Sequence, residues 1–101
     1  MKYAERFYLT DISVRDEYLR RHREIWPEMK ALIGEAGIRD YTIWCSGTDI
    51  FACYESDDID HTVDVLMRSP VKKRWDESMK NLIHYGGREI PEQLELAFYM
   101  R

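Results

Sequence analysis

The chain has 101 residues, 45% of them hydrophobic and 13% aromatic, with a formal net charge of −4. This suffices for one domain with a modest core, able to bury about two-thirds of its unfolded surface. The acidic balance argues against a phosphate-binding surface for nucleic acid, and no apolar run approaches the roughly 20 residues of a membrane span.

The opening Met-Lys-Tyr-Ala-Glu-Arg has no apolar signal core. A cytoplasmic location is therefore the expectation. Residues 3–10 read as a strand from their aromatic content and partial alternation. Asp11 to Ser13 form a junction, with Ser13 as N-cap and Asp16 supplying an acidic first turn. A helix is expected from Val14, carrying Val14, Tyr18 and His22 on one line. Trp26 continues that line. Pro27 has no N–H for the carbonyl of Arg23, and its ring crowds that carbonyl. An unbroken helix would lose about 3 kcal/mol here. Proline suits a first helical turn, so a second helix is expected to start at this point, with Glu28 beside its positive end. Met29, Leu32 and Ile33 restore the helical period, and Gly34 and Gly37 supply the stop.

Residues 38–45 and 50–55 read as a hairpin around Ser46-Gly47-Thr48-Asp49. Pairing Ile50 with Cys45 sets Phe51 opposite Trp44, Ala52 opposite Ile43, Cys53 opposite Thr42 and Tyr54 opposite Tyr41. The two sulfurs are then too far out of register to bond. Free thiols suit a reducing compartment. Apolar side chains fall on both faces of the hairpin, so both faces need cover. The economical arrangement is helices on one face and a second copy of the chain, in a homodimer, on the other.

Residues 57–68 carry Ile59, Val63, Leu66 and Met67 at helical spacing. Ser69-Pro70 opens a further helix, with proline at its first position and Val71, Trp75, Met79 and Leu82 in one stripe. Residues 84–91 read as a loop by their glycines and proline. Residues 94–99 make a last strand. The order strand, broken helix, strand, strand, helices, strand is the α+β ferredoxin-like arrangement, β-α-β-β-α-β.

Residues 18–27, Tyr-Leu-Arg-Arg-His-Arg-Glu-Ile-Trp-Pro, hold the densest set of chemically active side chains. By spacing alone, a line such as Tyr18–His22–Trp26 is more often core packing than chemistry. Arg20, Arg21 and Arg23 suit a solvated face. The longer string from Glu17 to Glu28 resembles the L-rhamnose mutarotase family, whose signature is Tyr-x-x-x-His followed by Ile-Trp-Pro-Glu. Asp40-Tyr41-Thr42-Ile43-Trp44, Lys73-Arg74-Trp75 and Glu95-Leu96-Ala97-Phe98-Tyr99 extend the resemblance over nearly the whole chain.

The resemblance implies two ferredoxin-like subunits joined through their sheets as a dimeric α+β barrel. It implies interconversion of sugar anomers by general acid and base, without metal or cofactor. It makes His22 the proton donor, a role that suits an imidazole of unperturbed pKa about 6.5. It makes Tyr18, Tyr41 and Trp75 sugar contacts. One position departs. The family commonly has a second tryptophan directly after the one matched by Trp75, and here that position is Asp76. Asp76 either hydrogen-bonds a sugar hydroxyl or assists proton transfer, or it is a solvated helix residue beside a more open pocket; the change bears on sugar identity more than on reaction type. Two other readings stand beside the enzyme: a small-ligand-binding or structural module of the same paired architecture, and a small oxygenase. No haem ligand or oxygen-activating group stands out for the oxygenase. His61 and His84 have no partner at metal-ligand spacing.

Overall fold

The computed structural model describes residues 1–101. Strand β1 (Lys2–Leu9) leads through a 3-10 turn (Ile12–Val14) into helices α1 (Arg15–Arg23) and α2 (Pro27–Glu35). Strands β2 (Arg39–Ser46) and β3 (Asp49–Glu55) form the hairpin. Helices α3 (Ile59–Arg68) and α4 (Pro70–Met79) follow, then two short strands, β4 (Ile83–His84) and β5 (Glu92–Leu94). The antiparallel sheet has the order β2-β3-β1-β4, with β5 also on β1. This is the expected ferredoxin-like order. Its last position is divided between two fragments, β4 beside Tyr8 and Leu9 and β5 beside Ala4 to Arg6.

Alternation sorts the side chains of the sheet. Phe7 and Leu9 of β1 are buried, as are Ile50 and Ala52 of β3, and Phe7 lies opposite Ile50. One face therefore carries Tyr3, Glu5, Phe7 and Leu9 together with Ile50, Ala52, Tyr54, Ile43 and Cys45. Its apolar residues pack with Tyr18 of α1, Met29 and Leu32 of α2, Trp75 and Met79 of α4, and Leu82. The other face carries Ala4, Arg6, Tyr8, Phe51, Cys53 and Trp44, and Trp44 is 64% exposed.

The hairpin register is the expected one from Thr42↔Cys53 through Cys45↔Ile50, and both cysteines are free. Beyond Thr42 the register shifts by one, so that Asp40 and Tyr41 together oppose Tyr54. Such a bulge bends the strand and re-aims a side chain. Asp40 takes φ of +50° to make it, a left-handed value that aspartate tolerates better than most residues. Tyr41 thereby brings its ring to 5.9 Å from that of Tyr54.

The helix break at Pro27 is present. Trp26 is extended (φ −58°, ψ 137°), and Pro27 is the first residue of α2. Several local details differ from expectation. Asp11, not Ser13, caps the first turn, its carboxylate accepting from the Ser13 N–H at 2.9 Å. Gly34 lies inside α2, and the turn is made by Gly37 at φ +80°. On α3, Val63 and Met67 are exposed while Thr62 is buried. A polar network decides this: Thr62 Oγ1 donates to the Ala36 carbonyl and meets Ser56 Oγ at 2.8 Å. The last strand is three residues long, not six. Leu94 lies opposite Ala4. Continued antiparallel register would use up β1 within about two more residues, leaving Phe98 and Tyr99 beyond its start.

Candidate active site

The helix break sets the site. His22 lies in the last turn of α1, and its Nδ1 is 3.0 Å from the carbonyl oxygen of Tyr18. A carbonyl only accepts, so Nδ1 carries the proton and donates it. Nε2 is then the working nitrogen: a lone pair in the neutral ring, a second N–H in the charged one. The imidazole sits between two aromatic rings. Tyr18 is at 4.4 Å between centroids, and Trp75 of α4 stands edge-on at 5.5 Å. Trp26 closes the group, edge-on to Trp75 at 5.2 Å. Burial among these rings holds the His22 pKa below its ordinary 6.5, and the hydrogen bond to Tyr18 opposes the shift only in part.

Arginines hold α1 in place. Arg21 reaches across to α4, where its Nη1 donates to the Ser78 carbonyl, and its Nε donates to Glu17 at 3.0 Å. Arg20 pairs with Glu17 and Glu24. The cluster that read as a solvated face is thus partly a clamp between α1 and α4, the two helices that bring His22 to Trp75. A cleft of about 490 Å³ runs past the indole pair, lined by Arg20, Arg21, Glu24, Trp26, Trp75 and Ser78. Another, of about 330 Å³ around Ser56, His61 and Thr62, holds none of these residues.

On the sheet, Tyr54 stacks on Tyr3 at 5.5 Å and lies 5.9 Å from Tyr41, and Tyr85 meets Phe7 edge-on at 6.1 Å. Tyr18 is 1% exposed. Its phenol is pushed well above the ordinary 10 by burial first, then by Tyr41, Cys45, Glu5 and Tyr85. Tyr41 is 39% exposed, yet lost hydration and then Glu5, Tyr54, Asp76 and Tyr85 push its phenol up as well. Tyr54 and Tyr85 rise for the same leading reason, and Glu5 acts on both. Of the seven tyrosines, Tyr3 alone engages its hydroxyl within the chain, on the Sδ of Met1 at 3.3 Å. The hydroxyls of Tyr18, Tyr41, Tyr54 and Tyr85 have no hydrogen-bond partner within the chain.

The structure thus gathers Tyr18, His22, Tyr41 and Trp75 around one region. Asp76 stands at its rim. Lys72 Nζ holds both Asp76 carboxylate oxygens, at 2.6 and 2.7 Å, while the charge of Asp76 still reaches Tyr41 and Tyr85. The residue missing from the sequence reading is Glu5. It carries the one carboxylate in the helix-facing row Tyr3, Glu5, Phe7, Leu9. The signal was present in the sequence as a charge on the apolar phase of an amphipathic strand. Tyr54 and Tyr85 carried no comparable signal, since only the packing brings them to the others.

A model of the family described as L-rhamnose mutarotase matches residues 2–100. The chain belongs to the L-rhamnose mutarotase family. It is 38% identical over 89 residues to the L-rhamnose mutarotase of Burkholderia ambifaria, covering 84% of this chain and 85% of that one. It is 39% identical over 88 residues to that of Verminephrobacter eiseniae, covering 83% and 82%. Among solved structures, it is similar to an L-rhamnose mutarotase from Formosa agariphila, with TM-score 0.82 and 23% identity over 100% of this chain and 99% of that one. A dimeric ferredoxin-like protein from an uncultured marine organism shares the fold at TM-score 0.66 and 14% identity over 99% and 98%. Membership of the mutarotase family selects the enzyme among the three readings that the residues left open. No helix is long and apolar enough to cross a membrane.

Proposed function

We propose that the protein interconverts the α and β anomers of L-rhamnose or a closely related hexose, with residues 1–101 acting as a single domain. The observation that carries this is the His22 imidazole. One nitrogen is committed to the Tyr18 carbonyl and the other is free, with the Tyr18 ring at 4.4 Å and the Trp75 ring at 5.5 Å. Anomer exchange requires the pyranose ring to open to the aldehyde, turn about C1–C2 and reclose. A proton leaves the anomeric hydroxyl as another reaches the ring oxygen. His22 Nε2 is suited to one of these transfers near neutral pH. Tyr18 and Tyr41 hold hydroxyls through their phenols, Trp75 lies along an apolar C–H face of the sugar, and Asp76 meets a hydroxyl at the rim.

The test is anomer exchange measured by saturation-transfer NMR, with the uncatalysed rate in water subtracted. Wild-type protein is expected to accelerate exchange of L-rhamnose, and His22→Asn to lose a factor of roughly 10²–10⁴ while staying folded. A wild-type protein that accelerates no sugar overturns the reading. A His22→Asn protein at the wild-type rate overturns the role of His22.

The homodimer belongs to the same proposal. Trp44 and Phe51 stand side by side on the sheet face away from the helices. Leu96, Phe98, Tyr99 and Met100 are also exposed. Exposed apolar and aromatic side chains of this number are unusual on a monomer and suit a second subunit. Light scattering is expected to give twice the chain mass; a stable monomer at micromolar concentration removes the proposal.

A further inference from the structure

Opening a pyranose ring moves two protons, one from O1 and one to O5. His22 has one free nitrogen for the task, because Nδ1 is held by the Tyr18 carbonyl. A second group is required. The surrounding phenols are poor candidates, since burial makes them still weaker acids than tyrosine in water. Asp76 is half-exposed, and Lys72 occupies both of its oxygens.

Glu5 remains. It projects from β1 on the helix-facing side, opposite Ala52 of β3 and Gln93 of β5. Tyr3 and Phe7 flank it on its own strand. Tyr3 stacks on Tyr54 at 5.5 Å, and Phe7 meets Tyr85 edge-on at 6.1 Å. Glu5 thus stands inside a ring of aromatic residues. Gln93 Nε2 donates to its Oε2 at 3.2 Å, which leaves Oε1 free. A part-buried carboxylate on a face otherwise built for the core costs stability, which the hydrogen bond from Gln93 offsets only in part.

We propose that Glu5 is the second proton-transfer residue of the mutarotase reaction, sharing one proton with His22 across the bound sugar. This rests on the mutarotase reading above and supplies the partner that His22 needs. With the proton on His22, the Glu5 carboxylate takes the hydrogen of the anomeric hydroxyl, and that O–H pair becomes the second bond of C1=O1. The C1–O5 bond breaks, its electrons go to O5, and O5 takes the proton from His22 Nε2. After rotation about C1–C2, both transfers reverse on the other face and the enzyme regains its starting state. The opposite placement of the single proton works equally, with the two residues exchanging roles.

Burial raises the Glu5 pKa above 4.5, against the Gln93 hydrogen bond and the charge of Lys72, while burial lowers that of His22. Each value moves through its own loss of hydration, Glu5 upward and His22 downward. The groups that face Glu5 are Tyr18 from α1, Tyr41 from β2, Tyr54 from β3, Lys72 from α4, Tyr85 from the loop after β4 and Gln93 from β5. The phenols stay neutral throughout the working range.

The test uses full-length wild type, Glu5→Gln and Glu5→Asp, assayed for L-rhamnose anomer exchange from pH 4 to 9, with circular dichroism to check folding. The wild type is expected to show a bell-shaped kcat/KM profile. Glu5→Gln is expected to lose roughly a hundredfold or more and to keep a single titration, that of His22. Glu5→Asp recovers part of the rate and the second limb of the bell. A purely structural glutamate would leave the shape of the profile unchanged. A folded Glu5→Gln protein with the wild-type rate and bell overturns this inference and leaves the mutarotase reading standing. A wild type inactive on every sugar overturns both. If Glu5→Gln fails to fold, the wild-type profile and Glu5→Asp decide: a single titration in wild type, or an unaltered profile in Glu5→Asp, overturns the proposal.

Discussion

Replacing Trp75 tests whether one indole serves both the core and the site. The residue is 9% exposed and stands edge-on to His22 at 5.5 Å and to Trp26 at 5.2 Å. Trp75→Ala removes a nearly buried side chain whose space the rigid helices cannot refill. Such truncations cost about 3–5 kcal/mol. A domain of this size has only about 5–15 kcal/mol in total. At about 4–8 °C per kcal/mol, the melting temperature should fall by at least about 12 °C. Trp75→Phe keeps an aromatic edge toward His22 and should lose less. It also admits water to the imidazole. Because burial is what lowers the His22 pKa, both variants should move it back toward 6.5. Thermal melts followed by circular dichroism and an NMR titration of the His22 Cε1 proton measure the two effects. A Trp75→Ala protein melting within about 4 °C of wild type, at ~1 kcal/mol lost, would show that the indole does not hold α4 to α1. A folded Trp75→Phe with unaltered KM for the sugar would leave Trp75 to the core alone.

Tyr18→Phe removes a hydroxyl with no protein partner, so Tm should hold while catalysis loses about 0.5–1.5 kcal/mol, the scale of one neutral hydrogen bond. An undiminished kcat/KM would remove that phenol from the sugar. Asp76→Trp restores the tryptophan common in the family and releases Lys72; it should change the ratio of kcat/KM between L-rhamnose and its 6-hydroxylated analogue, and an unchanged ratio would make Asp76 a rim residue only. Glu5→Gln should raise Tm at pH 7. The sign follows from a folded pKa raised above 4.5: the native state binds the proton more tightly, so its stability is greatest below the unfolded value and falls as pH rises through the folded one. The neutral amide escapes that loss, and its advantage over wild type should shrink on acidification. A lower Tm for Glu5→Gln at pH 7 would contradict the burial of the charge.

Much of this protein is local physics, and local physics is legible in sequence. Pro27 lacks an N–H, so a helix had to end before it, whatever packed around it. The hairpin register followed from alternation around Gly47, and Cys45↔Ile50 is where that pattern set it. Tyr18 and His22 were bound to share a helix face because they stand four apart. The family signature between Tyr18 and Glu28 pointed to the mutarotase family.

Other features were decided by contacts between residues distant in sequence. The bulge that aims Tyr41 needs Tyr54 across the sheet and a left-handed Asp40, neither of which alternation reveals. Thr62, not Val63 or Met67, is buried on α3, because its hydroxyl finds Ser56 and the Ala36 carbonyl. The last strand ends at Leu94, opposite Ala4, and not at Tyr99. Burial of the imidazole between Tyr18 and Trp75 lowers its pKa, and Trp75 comes from a helix more than fifty residues away. Glu5 was visible in the sequence as a charge out of phase. Only the folded sheet, which closes Tyr18, Tyr41, Tyr54 and Tyr85 around it, turns that irregularity into a candidate for proton transfer, because desolvation and field depend on neighbours in space rather than along the chain.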